Sequence, residues 1–238
     1  MKGEMLLDLD FAEIYFGDNE FQINIEGADK KLPLLLEQLM TEVNAKKLLF
    51  LNQTHGIDFT IIDENFIFET SINFRKIDGD IIITNQRNIA IGVLTADCLP
   101  VVILDKKNKV VAVVHSGWKG SVLNANAIAI QQMRKQFGTQ LNDLQIYFGP
   151  AAKNCCYEVQ QDFIEKNKTL SIEKFLINRD KKIFFDLIDF NKKNLYKIGI
   201  LEKQINDSNC FCTICDTIFC SFRREKDFYR QATIVALK

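Results

Sequence analysis

The runs Ile89-Ala90-Ile91-Gly92-Val93-Leu94, Val101-Val102-Ile103-Leu104 and Val110-Val111-Ala112-Val113-Val114 follow one another in the middle of the chain, and Asp80 to Thr84 precedes them with the same character. Each is β-rich and continuously apolar, which predicts strands buried on both faces. Lys106-Lys107-Asn108-Lys109 is a polar turn that predicts a hairpin between the last two. Downstream, Ser116-Gly117-Trp118-Lys119-Gly120 reads as a short loop, and Ser121 to Phe137 has helical periodicity with Gly138 as its stop. Strand, glycine loop and helix in succession point backbone N–H groups at whatever occupies the loop. Upstream, Leu32 to Val43 carries apolar residues at helical spacing, and Lys47 to Leu51 and Phe59 to Ile62 read as strands that bracket Asn52-Gln53-Thr54-His55-Gly56. Farther on, a strand is expected over Leu144 to Phe148, a polar surface excursion over Glu165 to Lys182 broken by Leu170 and Ile172, a helix over Ile188 to Leu201, and closing strands over Thr217 to Arg224 and Thr233 to Leu237. Long strands among few helices predict an α+β fold with sheets at the centre and helices outside.

The 238 residues are 47% hydrophobic and 26% charged, the balance of a globular protein, and one domain over residues 1–238 is expected. A formal charge of −1 gives no global attraction for nucleic acid, so none is expected as a partner. Met1 to Asp10 lacks a basic flank before an apolar stretch, and no run approaches the ~18 apolar residues of a membrane helix. A cytoplasmic protein is the expectation, with its seven cysteines reduced and serving as core residues, metal ligands or a nucleophile. The residues carry no signature of an oligomeric state.

The two histidines of the chain, His55 and His115, each end a β-rich run and begin a glycine-containing turn. Cys98, in Thr95-Ala96-Asp97-Cys98-Leu99-Pro100, occupies another junction between buried strands. Two imidazoles and a thiolate meeting from three strand ends would suit Zn²⁺ and leave a fourth tetrahedral position open. Without a metal, the same residues read as a buried small hydrophobe and two histidines satisfying nearby carbonyls.

Six blocks stand in order along the chain: Asn52 to Gly56, Asp78-Gly79-Asp80 with Thr84, Thr95 to Pro100, Val114 to Gly120, Gly149-Pro150 through Cys155-Cys156-Tyr157-Glu158-Val159, and Ser221-Phe222-Arg223-Arg224. Together they resemble the laccase-domain family of purine nucleoside phosphorylases, formerly described as multicopper polyphenol oxidases. The resemblance implies a sandwich of mixed β-sheets with helices on the outside (α/β/β/α), a Zn²⁺ held by His55, Cys98 and His115, and phosphorolysis of adenosine, inosine and methylthioadenosine with adenosine deamination beside it. Purine nucleosides and phosphate are the implied partners. Two departures stand out: the family's Gly-Gly-Val-Ser and Ser-Leu-Asn segments are not recognisable before Leu32, and Lys119 replaces its arginine. A lysine still binds phosphate as a point charge.

Roles follow for individual side chains. Lys119, Arg223 and Arg224 are expected at the phosphate, and Trp118 either stacks on a purine or plugs its loop against the sheet. Asp97 is either a proton carrier or a turn residue capping local N–H groups. Cys212-x-x-Cys215 has the spacing of a zinc or iron–sulfur pair, yet with Cys210 and Cys220 it is expected to form a packed turn, and the adjacent Cys155 and Cys156 are expected in the core. Two other functions compete: a copper-dependent polyphenol oxidase, for which two histidines are too few, and a metal-free cysteine hydrolase with Cys98 as nucleophile and His115 or His55 as base.

Overall fold

A computed structural model of the chain describes residues 5–26, 30–168 and 172–238; Met1 to Glu4 and Leu170 lie outside them. In chain order the elements begin with β1 (Leu6–Asp8), β2 (Ala12–Phe16), β3 (Ile23–Asn24), α1 (Leu32–Glu42), β4 (Lys47–Asn52), β5 (Phe59–Ile62) and β6 (Ile72–Asp78). The central part contains β7 (Ile81–Thr84), β8 (Ile89–Thr95), β9 (Leu99–Asp105), β10 (Val110–Ser116), α2 (Trp118–Val122), α3 (Ala125–Phe137) and β11 (Leu144–Phe148). The last part contains β12 (Glu158–Val159), α4 (Gln161–Lys166), β13 (Leu176–Arg179), β14 (Lys182–Phe185), α5 (Leu187–Lys197), β15 (Ile205–Asn206), α6 (Phe222–Glu225) and β16 (Tyr229–Leu237).

Two mixed sheets form the centre. One runs β1-β2-β16-β8-β4-β6 with β3 beside β16, the other β15-β11-β9-β10-β7-β5, and a small third sheet runs β12-β14-β13. The strict two-residue alternation of a strand explains the layering. On β9, Val102 and Leu104 face Ile91 and Val93 of the opposite sheet, while Val101 and Ile103 face the other way, toward Ala129, Met133 and Leu187 of α3 and α5. On β8, Ala90 and Leu94 turn toward Leu36 and Leu39 of α1. The layers are therefore α1, sheet, sheet, and α3 with α5, the α/β/β/α sandwich that the resemblance implied. Both faces being covered, β8, β9 and β10 are buried at every position, as their unbroken apolar runs predict.

The β9–β10 hairpin closes over Lys106–Lys109, where both Asp105 carboxylate oxygens accept from the turn. Three expectations are corrected. Trp118 to Gly120 is the first turn of a helix, not a loop, and the periodic stretch beyond it is broken at Asn124, which adopts the left-handed conformation (φ 60°, ψ 41°) and lets α3 leave α2 at a new angle. Behind this break a buried chain of hydrogen bonds, Ser116 to Asn126, Asn126 to Asn191 and Asn191 to Ser121, ties β10, α2, α3 and α5 together. Thr217 to Arg224 is not a strand: its end forms α6, capped by Ser221, and the Arg224 guanidinium donates to the carbonyls of Thr213, Ile214, Asp216 and Phe219, so this backbone needs no ladder partner.

Candidate active site

Asp80, immediately before β7 and buried, organises the site. Its Oδ2 accepts from the Thr54 hydroxyl (3.0 Å), Thr54 N–H (3.2 Å) and Gly56 N–H (2.7 Å), and its Oδ1 accepts from His55 N–H at 3.0 Å and faces His115 Nδ1 at 2.7 Å. One carboxylate thus shapes the turn that presents His55 and fixes the His115 ring from behind, leaving Nε2 of His115 free to face Cys98. Burial alone would raise the Asp80 carboxyl, but the hydrogen bonds from His115, Gly56 and Thr54 outweigh it and bring it down to about 2. His55 takes a positive φ of 63°, a conformation non-glycine residues adopt when the surroundings compel it. Gln53 pins the same turn to β8, donating to the Leu94 carbonyl and accepting from the Leu94 N–H, each at 2.8 Å.

The donor atoms of His55, Cys98 and His115 lie within 4.8 Å of one another, and the two imidazole rings meet edge to face with centroids 4.8 Å apart. Burial opposes ionisation of Cys98, but His115 and His55 win and favour the thiolate; His115 is drawn upward in turn, against its own burial, by Cys98 and Asp80. A Cβ on Gly117 would lie 2.8 Å from Cys98 Sγ and 3.3 Å from His55 Cδ2, so glycine here lets α2 approach the triad closely. Two imidazoles, a thiolate and a carboxylate behind one imidazole form a donor set that fits a divalent ion such as zinc.

The triad opens into a cavity of about 410 Å³, within the range of small-molecule sites. Trp118, Tyr157 and Phe222 give it flat aromatic faces, and Arg75, Arg223 and Arg230 give it positive charge. Arg223 lies over the Tyr157 ring at 4.9 Å and donates to the Glu158 carbonyl. Of the residues singled out in the sequence, His55, Cys98, His115, Asp97, Trp118 and Arg223 line this cavity. Lys119 is exposed, with Nζ 5.7 Å over the Trp118 ring, and Arg224 spends its donors on backbone carbonyls; neither is among the lining residues. Trp118 both borders the cavity and packs edge-on against Phe163 at 5.3 Å. Asp97, at φ 80°, accepts from the Thr213 hydroxyl at 2.7 Å and the Arg223 N–H at 2.6 Å, so both oxygens are engaged in holding neighbouring segments. Sequence reasoning missed Asp80, Arg75, Arg230 and the aromatic wall of Tyr157 and Phe222. Asp80 was signalled only by the Asp78-Gly79-Asp80 block, and nothing local marks the two arginines.

Cys155 and Cys156 correct another expectation. Cys155 is exposed and Cys156 half-buried, and both converge with Cys212 and Cys215, whereas Cys210 and Cys220 are buried.

Fold and site together define a mixed-sheet sandwich whose central strand ends gather a His-Cys-His set in an arginine-lined cavity. The profile of the multi-copper polyphenol oxidoreductase laccase family matches residues 29–238, and the chain belongs to that family. It is 32% identical over 197 residues to a purine nucleoside phosphorylase of Borreliella burgdorferi, covering 80% of each chain. It is 29% identical over 217 residues to adenosine deaminase RL5 of an unknown prokaryotic organism, covering 88% of this chain and 79% of that one. Among solved structures, the hypothetical protein YfiH of Bacillus licheniformis superposes with a TM-score of 0.85 at 22% identity, over 95% of this chain and 93% of the other, which shows the shared fold. No helix among the described residues is long and apolar enough to cross a membrane.

Proposed function

We propose that the chain is a zinc-dependent, cytoplasmic purine nucleoside phosphorylase with adenosine deaminase activity, a single domain over residues 1–238 whose metal ligands are His55, Cys98 and His115. The observation that carries this reading is the convergence of those three donors on a cavity that also offers aromatic faces and arginines. Relatives named purine nucleoside phosphorylase and adenosine deaminase support it.

In phosphorolysis an orthophosphate oxygen forms a bond to the ribose C1′ while the bond from C1′ to the purine nitrogen breaks and its electron pair leaves with the base. The substrates are one anion, orthophosphate, and one nucleoside, whose flat purine becomes an incipient anion as the bond breaks. Arg223 and Arg230 supply donors for phosphate, Arg75, which donates to the Ile25 carbonyl and to Asn52 Oδ1, adds positive charge, and that charge is already in place before the reaction begins. Tyr157, Trp118 and Phe222 supply apolar faces for the purine. Asp97 is a positioning residue: by accepting the Arg223 N–H it fixes the start of α6, and hence Arg223, beside Cys98. Lys119 and Arg224 have lesser parts, Lys119 as an outer positive charge and Arg224 as the clasp of the loop behind α6. When bound, zinc supplies a Lewis acid at which solvent ionises more readily, the chemistry that exchange of a purine amino group for oxygen requires.

A second reading rests on the Cys98 thiolate, which His115 and His55 favour without any metal, with Asp80 behind His115: a cysteine hydrolase has this arrangement. A copper oxidase is disfavoured because two histidines cannot furnish a multicopper cluster. Release of base from adenosine, inosine and methylthioadenosine, each with and without phosphate, tests the proposal. Phosphate-dependent release by a zinc-loaded protein is expected; release indifferent to phosphate, or by protein free of metal, contradicts it.

A further inference from the structure

We infer that Cys155, Cys156, Cys212 and Cys215 form a second metal site, a closed four-thiolate site for structural zinc, distinct from the His55, Cys98 and His115 set. The four sulfur atoms all lie within 4.8 Å of one another, and Cys155 Sγ and Cys215 Sγ are 4.0 Å apart. Sulfurs bound at about 2.3 Å to one tetrahedral ion stand roughly 3.8 Å from each other, so little movement closes the site.

Core filling does not explain the cluster. Cysteines used as small hydrophobes are buried, as Cys210 and Cys220 are, but Cys155 and Cys215 are exposed. The backbone is also shaped to deliver the thiols. The Lys153 carbonyl accepts from both Cys156 N–H (2.9 Å) and Tyr157 N–H (2.8 Å), a tight turn that brings successive cysteines to one point. Across from it, Cys212 and Cys215 stand three residues apart, the Cys-x-x-Cys spacing that turns two thiols toward one ion, and the Asp216 N–H donates to the Cys212 carbonyl at 3.0 Å to close that turn. Arg179 donates to the Cys155 carbonyl at 2.6 Å and Lys153 to the Cys210 carbonyl at 3.0 Å, placing two cations beside a site whose four thiolates would leave a net negative charge around a divalent ion.

The site joins two segments that also meet through Ala151 N–H to the Phe211 carbonyl, Thr213 N–H to the Ala151 carbonyl and Lys153 Nζ to the Cys210 carbonyl. Both lead to the cavity. Tyr157 follows Cys156 directly, and Thr213, between Cys212 and Cys215, donates its hydroxyl to Asp97. A metal here would hold one wall of the cavity without touching substrate.

The test is metal analysis of the full chain purified without added metal, beside Cys155→Ser, Cys215→Ser and Cys98→Ala. Expected is two zinc ions per wild-type chain and about one in each variant. Cobalt substitution of the Cys98→Ala protein should give the intense charge-transfer and visible bands of a tetrahedral four-thiolate ion, a readout that needs no change in the cluster itself. One zinc per wild-type chain, lost in Cys98→Ala and retained in Cys155→Ser and Cys215→Ser, overturns this inference and leaves the catalytic reading standing; the reverse loss overturns only the catalytic reading. A Cys155–Cys215 disulfide found by mass spectrometry, or iron with inorganic sulfide in place of zinc, also overturns it.

Discussion

Replacing Asp80 by Asn keeps the shape of the side chain and removes one of two acceptor oxygens, and the geometry dictates what must fail. With the amide oxygen at the Oδ2 position, the NH₂ group faces His55 N–H and His115 Nδ1; with it at the Oδ1 position, NH₂ faces the N–H groups of Thr54 and Gly56. In the first case the His115 ring relieves the conflict only by moving its proton to Nε2, the nitrogen that faces Cys98. In the second, two N–H donors lose their acceptor, at about 1–3 kcal/mol each. The variant should therefore lose about 2–6 kcal/mol of stability at neutral pH in the second case, or, in the first, about 1–3 kcal/mol for the His55 N–H left without its acceptor, with zinc affinity lowered on the order of 10–100-fold, as when a carboxylate behind a metal-binding histidine is removed. The depressed carboxyl gives a consistent figure: titrating at about 2 in place of 3.8, it contributes roughly 2 kcal/mol. Because the folded value lies below the unfolded one, that contribution is complete above pH ~4 and is lost as pH falls toward ~2. Urea denaturation and zinc competition against a chelator measure the two effects. Stability within about 0.5 kcal/mol of wild type together with unchanged zinc affinity would refute the role given to Asp80.

Gly117→Ala places a methyl group 2.8 Å from Cys98 Sγ, and the overpacking should cost about 1–3 kcal/mol; a chelator titration should also show weaker zinc binding. Arg230→Met should raise KM for phosphate roughly 10–100-fold, the value of one or two charge-assisted hydrogen bonds, with KM for the nucleoside changed less. Lys119→Met, at an exposed position outside the cavity lining, should raise it no more than about threefold, and steady-state kinetics with phosphate varied separates the two. Arg224→Met should lower thermal stability, by about 1–3 kcal/mol, by releasing the carbonyls between Thr213 and Phe219.

The central strands of the α+β fold were legible because burial on both faces leaves an unbroken apolar run, and β8, β9 and β10 each carry one, while the sandwich followed from the family resemblance. His55, Cys98 and His115 were legible because each stands where such a run stops. Asp80 was not, because its partners Thr54, His55, Gly56 and His115 lie 24 to 35 residues away and only the folded chain brings them to one carboxylate. Thr217 to Arg224 resembles a strand in composition, yet a single guanidinium satisfies the carbonyls that a ladder would otherwise pair. The break at Asn124 left the helical periodicity intact while changing direction, so spacing alone read one helix where there are two. Adjacency misled at Cys155 and Cys156, because a tight turn at Lys153 brings neighbours together that an extended chain holds apart.

The proposed chemistry requires His55, Cys98 and His115 to share one metal ion. Anomalous diffraction on either side of the zinc absorption edge, from crystals of protein purified without added metal, decides whether they do. The expected result is a peak bonded to both imidazoles and the Cys98 sulfur and abolished in Cys98→Ala. Clean density among these side chains with no anomalous signal, from protein that still releases base in the presence of phosphate, would contradict it.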